Sequence, residues 1–412
     1  MSSASCCPPE KAQSRNDLVW NSVNAFLLWL EKHTYESYDP YDIWGTKYGL
    51  WSRRLYYGNR LAGTPFVAPI LLLEILCPQA RQLFVTKQRF ATADAQLVLA
   101  FLNLWRLTQD KTFLDKAAAL ARELEAYSIP GYSGHCWGYP FDWQHNQGLW
   151  KKNTPFITAT PYCFEAFLGL HDATGDPFFL NVAASIARFV QNDLRDTPTS
   201  ADAAAGSYSP IDNSKVINTS AYRAMVLFEA ADRFASEEYR RTAQGNLNFI
   251  LQTQRADGAW LYALDHGDQF IDHFHTCFVL KNLSKLNRRL GSEAVATAIR
   301  KGYAYYRQAL YSADGLPRMY AIKPRTQIVR LEMYDFAEAI NLGAVLRDEI
   351  PKAHDTAQKL AGVLCQQYQL PDGHFATRVY AGGIRHTQGY LRWPQAQLFH
   401  ALTNLLAAGK AK

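Results

Sequence analysis

The feature that most constrains the fold is a pair of amphipathic helical segments that recurs along the 412-residue chain. Apolar residues at helical spacing mark five pairs. They run over about Ala91–Thr108 with Thr112–Tyr127, Thr158–Ala173 with Pro177–Leu194, Asn218–Phe234 with Ser236–Gln254, His273–Leu290 with Ser292–Tyr311, and Glu332–Asp348 with Pro351–Gln369. Gly175-Asp176-Pro177 reads as a helix stop followed by a helix-starting proline. First helices begin roughly 55 to 67 residues apart. Linkers within a pair are short, whereas those between pairs run to roughly 20–30 residues, a length that usually carries function.

One amphipathic helix remains unpaired at each end: Asn16–His33, with Leu18, Val19, Val23, Phe26, Leu27 and Leu30 on its apolar face, and Leu391–Ala408. Together they supply a sixth pair. The pattern therefore predicts an all-α chain closed as a single (α/α)6 toroid over residues 14–412, preceded by a disordered tail at 1–13. The first helices are the more apolar, as in Val98, Leu99, Phe101 and Leu102 or Phe278, Val279, Leu280 and Leu283, and are expected to form the inner ring. All five long loops lead from a second helix into the next first helix, so they gather on one face. There, unpaired N–H groups and positive dipole ends favour anions. Residues 38–88 break the repeat with a Tyr/Asp/Trp segment and a short apolar helix, and are expected to cover part of the ring.

Composition narrows the function classes. Hydrophobic residues make up 48% and charged residues 19%, which excludes a disordered chain. A formal charge of +6 without a Lys/Arg block points to small anionic partners and away from nucleic acid. The seven scattered cysteines form no Cys-x-x-Cys pair and read as free thiols of a reducing compartment. Met1–Glu10 lacks an apolar signal core, and Phe66–Leu76, interrupted by Pro69 and Glu74, falls short of the roughly 20 apolar residues a bilayer span needs. The expectation is a soluble, cytoplasmic protein with no transmembrane segment. No cofactor is indicated, and no pattern sets an oligomeric state.

The long loops hold the candidate site residues. Loop one carries His135, Trp137, Tyr139, Asp142, Trp143, Gln144 and His145. Flat aromatic faces stack on sugar rings while carboxylate and amide groups bind hydroxyls; a self-packed aromatic lid is the plainer reading of the same residues. Asp142 is a candidate acid or base, since aromatic surroundings raise a carboxyl pKa. Loop two holds Tyr208, Asp212, Asn213 and Asn218, of which Asn218 is also a natural helix cap.

Loop three holds Trp260 and Tyr262 and ends Asp268-Gln269-Phe270-Ile271-Asp272-His273-Phe274-His275-Thr276. Asp272 is a natural N-cap. His273 and His275 lie two apart and cannot share a helix face, so one of them, preferably His275, faces the cavity. A histidine at a helix N-terminus stays neutral and suits a general base. Spacing on one helix is poor for a zinc site from His273, His275 and Cys277, so no metal is assigned. Tyr208 and Tyr262 are candidate acids, with ordinary packing as the plainer reading of each.

Loop four is basic, with Arg318, Lys323, Arg325 and Arg330 ahead of Glu332. Loop five adds Arg378, Arg385 and Arg392, interleaved with Tyr380, Tyr390 and Trp393. Arginine binds carboxylates through a planar fork, so the ligand expected is an anionic sugar such as a uronate or pyruvylated unit. Glu332 is the loop-four carboxylate nearest a helix start.

A double ring of six hairpins with its functional loops on the inner N-terminal face resembles the carbohydrate-processing toroids: six-hairpin glycosidases, sugar 2-epimerases, uronate lyases and the helical domain of glucuronyl C5-epimerases. Tyr38-Asp39-Pro40-Tyr41-Asp42, Cys136-Trp137-Gly138-Tyr139-Pro140-Phe141-Asp142-Trp143-Gln144, Asp257-Gly258-Ala259-Trp260, Phe274-His275-Thr276 and Leu391-Arg392-Trp393-Pro394 are similar to stretches of bacterial toroid proteins associated with exopolysaccharide and capsule biosynthesis. That resemblance implies a polysaccharide context. Gln254-Arg255-Ala256-Asp257-Gly258-Ala259-Trp260 and Gln369-Leu370-Pro371-Asp372-Gly373-His374-Phe375 resemble the Gln…Gly-x-Trp turns of terpene-cyclase toroids. The Asp-x-Asp-Asp acid motif of those cyclases is absent, so these elements read as structural turns.

The reading preferred at this level is an enzyme of polysaccharide biosynthesis or modification that abstracts a proton from an anionic glycan, as an epimerase or lyase. His275 and a tyrosine would serve as base and acid, and Arg318 or Arg330 would neutralise the carboxylate. The alternatives are glycoside hydrolysis by two carboxylates, Asp142 with Asp272 or Glu332, a glycan-binding scaffold without catalysis, and a terpene-cyclase-like enzyme, which needs an apolar cavity.

Overall fold

The computed structural model describes residues 15–145, 148–265, 269–323 and 327–410. The tail expected at 1–13 and the loop residues Asp268 and Arg325 lie outside the described residues. The α-helices are, in chain order, α1 Arg15–Glu31, α2 Lys47–Gly58, α3 Arg60–Leu76, α4 Ala91–Thr108, α5 Lys111–Ala126, α6 Thr160–Thr174, α7 Pro177–Asn192, α8 Ile217–Phe234, α9 Glu237–Thr253, α10 His273–Leu290, α11 Glu293–Ala309, α12 Met333–Val345, α13 Pro351–Gln367 and α14 Ala396–Lys410. No helix is long and apolar enough to cross a membrane among the described residues.

Helices α4, α6, α8, α10, α12 and α14 pack side by side into an inner ring that closes where α14 meets α4. These helices are buried over most of their surface, as their sequences predict; α8 buries residues all round, from Ile217 to Ala231. The outer helices bury one stripe each, such as Ala117, Leu120, Ala121 and Leu124 of α5. Each fully buried Leu, Val or Phe contributes roughly 1.5–3 kcal/mol. Helix α1 packs on α13 and α14 and completes the outer ring, giving the (α/α)6 toroid.

Two local devices recur around the ring. The first joins inner to outer helix: a left-handed residue ends the inner helix and an Asp or Ser caps the outer one. Gln109-Asp110, Gly175-Asp176, Ala235-Ser236 and Gly291-Ser292 all follow this rule. The second ties two of the long loops, the third and the fifth, to the following outer helix. Gln254 Nε2 donates to the Gly258 and Ala298 carbonyls, and Gln369 Nε2 donates to those of Gly373 and Ser22. Gly258 (φ +92°) and Gly373 (φ +108°) sit so tightly on α11 and α1 that a Cβ would lie 2.4 Å from the Lys301 oxygen and 2.1 Å from the Ala25 oxygen. The Gln-Asp-Gly elements thus act as turns that set the spacing of neighbouring hairpins.

The long loops contain short strands: β1 Trp143–His145, β2 Gly148–Trp150, β3 Asp196–Pro198, β4 Ala204–Gly206, β5 Ile271–Asp272, β6 Tyr320–Ile322, β7 Val329–Glu332, β8 Arg378–Tyr380 and β9 Arg385–His386. Strand pairs β5–β6 and β7–β8 join consecutive loops. Ile157, Ile217, His273 and Met333, at or near the starts of successive inner helices, donate their N–H groups to carbonyls of the next loop: Tyr208, Tyr262, Met319 and Thr377, at 3.0–3.1 Å. The expectation of free helix N–H groups converging on an anion is corrected here. Part of that donor set is already satisfied by the neighbouring loop.

Residues 38–88 are more ordered than the short apolar helix expected. They form a helical hairpin, α2–α3, with Gly63 of α3 pressed against the Tyr56 backbone and Tyr48 Oη donating to the Phe66 carbonyl at 2.8 Å. The helix expected from Leu391 starts properly only at Ala396. Leu391–Gln395 is an irregular turn in which Trp393 is extended and Pro394 offers no N–H.

Candidate active site

At the start of α10 the sequence builds a histidine–aspartate dyad. Asp272 caps the helix, its Oδ1 accepting from the His275 N–H at 3.1 Å, while its Oδ2 lies 2.6 Å from His275 Nδ1. A carboxylate only accepts, so this contact assigns the proton to Nδ1 and leaves Nε2 as the basic nitrogen. Nε2 has no hydrogen-bond partner among the described residues. His275 is about one-fifth exposed and lines a void of about 10 Å³, room for about one water molecule. Asn218, Trp260, Tyr262 and Thr276 share that void. Asn218 is buried, and neither its amide oxygen nor its nitrogen is satisfied among the described residues. The cap role expected for Asn218 is not what its side chain does. Tyr262 stacks on Phe270 at 4.6 Å and leans over the His275 ring, also at 4.6 Å.

His273 points the other way. It is fully buried, with Nδ1 3.1 Å from the Leu310 carbonyl and Nε2 accepting from the Tyr306 hydroxyl at 2.8 Å. Burial pulls its pKa down to about 3, so it is neutral. It holds the loop onto α11 and is removed from the candidates for chemistry.

Beside the dyad stand three buried carboxyls: Glu332 at the end of β7, and Asp335 and Glu338 within α12. Burial raises all three. Asp335 rises well above the ordinary carboxylate range, with Glu332, Asp272 and Glu338 adding repulsion, and its Oδ1 has no partner among the described residues. Glu332 is opposed by Arg378, whose Nε donates to it at 2.6 Å, and Glu338 by Lys281 at 2.5 Å. Tyr162 and Tyr222 hydroxyls meet at 2.9 Å near this pair. Tyr334 and Trp393 stack face to face at 3.7 Å and 4°. Aromatic and paired polar side chains thus pack closely around the inner helix starts, and a small void lies beside His275 among the described residues.

The aromatic loop-one residues divide. Tyr139 and Trp143 join Tyr41, Trp150, Phe156 and Tyr208 in a cluster of edge and tilted contacts. Tyr208 Oη lies 3.1 Å from Thr158 Oγ1, and burial pushes its pKa up to about 12. Gln144 and His145 lie on the β1–β2 hairpin, where Gln144 Nε2 donates to the His145 carbonyl at 3.0 Å. Asp142 is spent on the same loop, accepting from the Lys152 N–H at 2.7 Å with Lys151 Nζ at 3.5 Å. These contacts tie Asp142, the loop-one candidate for acid or base, to its own loop while leaving it partly exposed.

Several other expectations are corrected by burial. Trp137 is 1% exposed and donates its indole N–H to the Leu124 carbonyl; Trp260 does the same to Ile250. Both are wedges between loop and outer helix, although one edge of Trp260 reaches the void. His135 is held between outer helices by Ser185 Oγ (2.7 Å) and Glu125 (3.1 Å). Arg385 donates to the Gln367 carbonyl at the end of α13. Arg392, expected to meet a ligand carboxylate, is buried and forks onto Asp39, with Nη2–Oδ1 at 2.7 Å and a second contact from Nε to Oδ2. Arg318 and Arg330 are exposed and form no ion pair among the described residues.

The sequence reading passed over Lys281, Asp335 and Glu338, and met Asp39 only inside the Tyr38–Asp42 stretch. The available signal was two carboxyls, Asp335 and Glu338, inside an otherwise apolar helix Met333–Val345. Among the described residues no three His, Cys, Asp or Glu side chains come together in a group suited to a metal ion.

The chain matches no protein-family model, and no curated protein matches it. Solved structures do resemble it. An unsaturated glucuronyl hydrolase specific for heparin superposes with a TM-score of 0.62 at 11% identity, covering 95% of this chain and 97% of that one. Cellobiose 2-epimerase from Bacillus thermoamylovorans gives 0.60 at 12%, covering 78% and 88%. An inactive α-1,6-mannanase variant from Salegentibacter sp., in complex with α-1,6-mannotetrose, gives 0.57 at 13%, covering 78% and 90%. At such identities the likeness shows the fold, which is the toroid of carbohydrate-processing proteins that the sequence resembles.

Proposed function

We propose that this chain is a carbohydrate-active enzyme that moves a proton at a sugar carbon, as an epimerase or lyase does. The observation that carries the reading is the Asp272–His275 dyad facing a void shared with an unsatisfied amide, Asn218. Asp272 fixes the tautomer, His275 Nε2 accepts the proton, and Asn218 can bind the oxygen on which charge develops. Tyr262, whose ring centre is 4.6 Å from that of His275, is the candidate proton donor. Three toroids of similar fold are a glucuronyl hydrolase, a sugar epimerase and a mannanase, which supports an oligo- or polysaccharide substrate. An anionic glycan is our choice because Arg318 and Arg330 are exposed on loop four, which joins loop three through β5–β6. The void is smaller than a sugar ring, so binding requires the Tyr262–Phe270 stack and the neighbouring loops to part.

A second reading has its own support. Burial and the neighbouring Glu332 and Asp272 push the Asp335 pKa up, and carboxyls with separated pKa values suit glycoside hydrolysis.

The experiment is incubation of the purified protein with uronate-containing and neutral oligosaccharides in deuterated water. Solvent deuterium at a ring carbon, reduced about 10²–10⁴-fold in His275→Ala and Asp272→Asn, is expected. New reducing ends without deuterium would transfer the function to the carboxyls. Glycan binding without turnover, unchanged in His275→Ala, would leave a binding protein.

A further inference from the structure

The α2–α3 hairpin presents a surface that the ring does not use. Gly63, Val67, Ile70 and Glu74 form the buried stripe of α3. On the opposite side Leu61, Pro65, Pro69, Leu72 and Leu76 are all exposed, at helical spacing. Leu61 is 90% and Leu76 72% exposed, and Leu83 and Phe84 continue the apolar surface at 76% and 59%. A helix on the surface of a soluble domain ordinarily turns charge outward. Here the charged residues of α3 are Arg60 in its first turn and the buried Glu74.

The charge pattern of the segment indicates its partner. Between Tyr38 and Gln88 the carboxylates are Asp39, Asp42 and Glu74, and all three are buried. Arg392 takes the first and Arg81 the other two. Lys47, Arg54, Arg60 and Lys87 are exposed. The outward surface thus combines leucine, phenylalanine and cations with uncharged polar residues such as Asn59 and Gln82, and has no exposed carboxylate. That combination is the signature of an interfacial helix on an anionic bilayer: apolar side chains enter the acyl boundary and Lys or Arg meets the lipid phosphates. A protein groove would satisfy the leucines but gives no reason for burying every acid of the segment.

We propose that the outer stripe of α3, continued by Leu83 and Phe84, docks this protein on an anionic lipid bilayer, lying in the interface without crossing it. At 17 residues α3 spans about 26 Å along the membrane plane. Helix α2 packs on β1, with Arg53 Nη1 3.4 Å from the Gln144 carbonyl, so the docked hairpin stands at the loop face of the ring. The proposal is independent of which reaction the site performs.

The test is co-sedimentation with vesicles of equimolar phosphatidylcholine and phosphatidylglycerol, against vesicles of phosphatidylcholine alone. The wild-type protein is expected to pellet with the anionic vesicles and to be released by added salt. Leu72→Glu/Leu76→Glu and Arg54→Glu/Arg60→Glu are each expected to lower the partition at least about tenfold. Their circular dichroism and melting temperature should stay unchanged, because all four side chains are exposed. A wild-type protein that remains in the supernatant overturns the proposal, as does a Leu72→Glu/Leu76→Glu variant that pellets normally. A dimer by light scattering that Leu72→Glu/Leu76→Glu dissociates, without vesicle binding, would assign the stripe to a second copy instead.

Discussion

Arg392→Met tests whether this arginine clamps the 38–88 segment to the ring or waits for a ligand. Its guanidinium is buried against Asp39 and lies 4.8 Å from the Tyr139 ring centre and 5.5 Å from that of Trp393. Methionine keeps much of the stem volume but removes the charge. Asp39 Oδ1 then retains the Tyr41 N–H at 2.8 Å, and its charge is left buried and uncompensated. Breaking one side of a buried pair costs about 3–5 kcal/mol. At about 2.1 cal/mol/K per residue, a chain of this length unfolds with an entropy of about 0.9 kcal/mol/K, so Tm should fall by about 3–6 °C. Asp39→Asn should do similar damage. The Asp39→Asn/Arg392→Met double variant, with neither charge buried, should recover about half of the summed loss. Calorimetry gives the Tm values, and limited proteolysis between α2 and α3 reports release of the segment. A Tm change below about 1 °C in Arg392→Met, or a double variant as damaged as the sum of the singles, would refute the clamp and return Arg392 to the ligand-binding candidates.

Three further outcomes are expected. Asp335 has a raised folded pKa, so its contribution is present below the ordinary carboxylate value and is lost as pH rises toward the folded one. Asp335→Asn should therefore gain on wild type by up to about 1.4 kcal/mol per pH unit above pH ~4, and parallel stability–pH curves would contradict this. His273 behaves oppositely: neutral with a pKa of about 3, it supplies stability above pH ~6.5 that is lost on acidification. The Tm deficit of His273→Gln should shrink from pH 7 to pH 5; a constant deficit would exclude proton uptake at this site. Gly373→Ala must both hold φ +108° and displace the Ala25 carbonyl, whereas Gly382→Ala (φ +80°) meets nothing within 4 Å. Hydrogen exchange should show α1 loosened in the first and unchanged in the second, and equal protection would deny that Gly373 seats α1.

The ring was legible because its signal is local and repeated. Inner-helix runs such as Val98–Leu104 and Phe278–Leu283 announce themselves by period, and the pairing of the end helices follows from counting. Of the candidate site, only the Asp272–His275 contact at the start of α10 was legible, because the two lie three residues apart and a capping position fixes both. Partners distant in sequence were not. Nothing near Arg392 announces that Asp39, 353 residues earlier, occupies its fork. Aromatics such as Trp137 look alike whether they face a sugar or an outer helix, because burial is decided by partners distant in sequence, here Leu124 and Phe167. The loop strands escaped because two to four residues paired across loops leave no alternation to read.

The seam of the ring lies inside one hairpin, between α14 and α1, and Gln369 reaches 347 residues back to the Ser22 carbonyl. During synthesis α1 is made first but its seat on α13 and α14 is made last. The face carrying Val19, Val23, Phe26 and Leu30 must stay uncovered by its native partners while five hairpins assemble. Ring closure is then a single late event, and a ribosome-bound chain should hold that face available to a chaperone until α14 emerges.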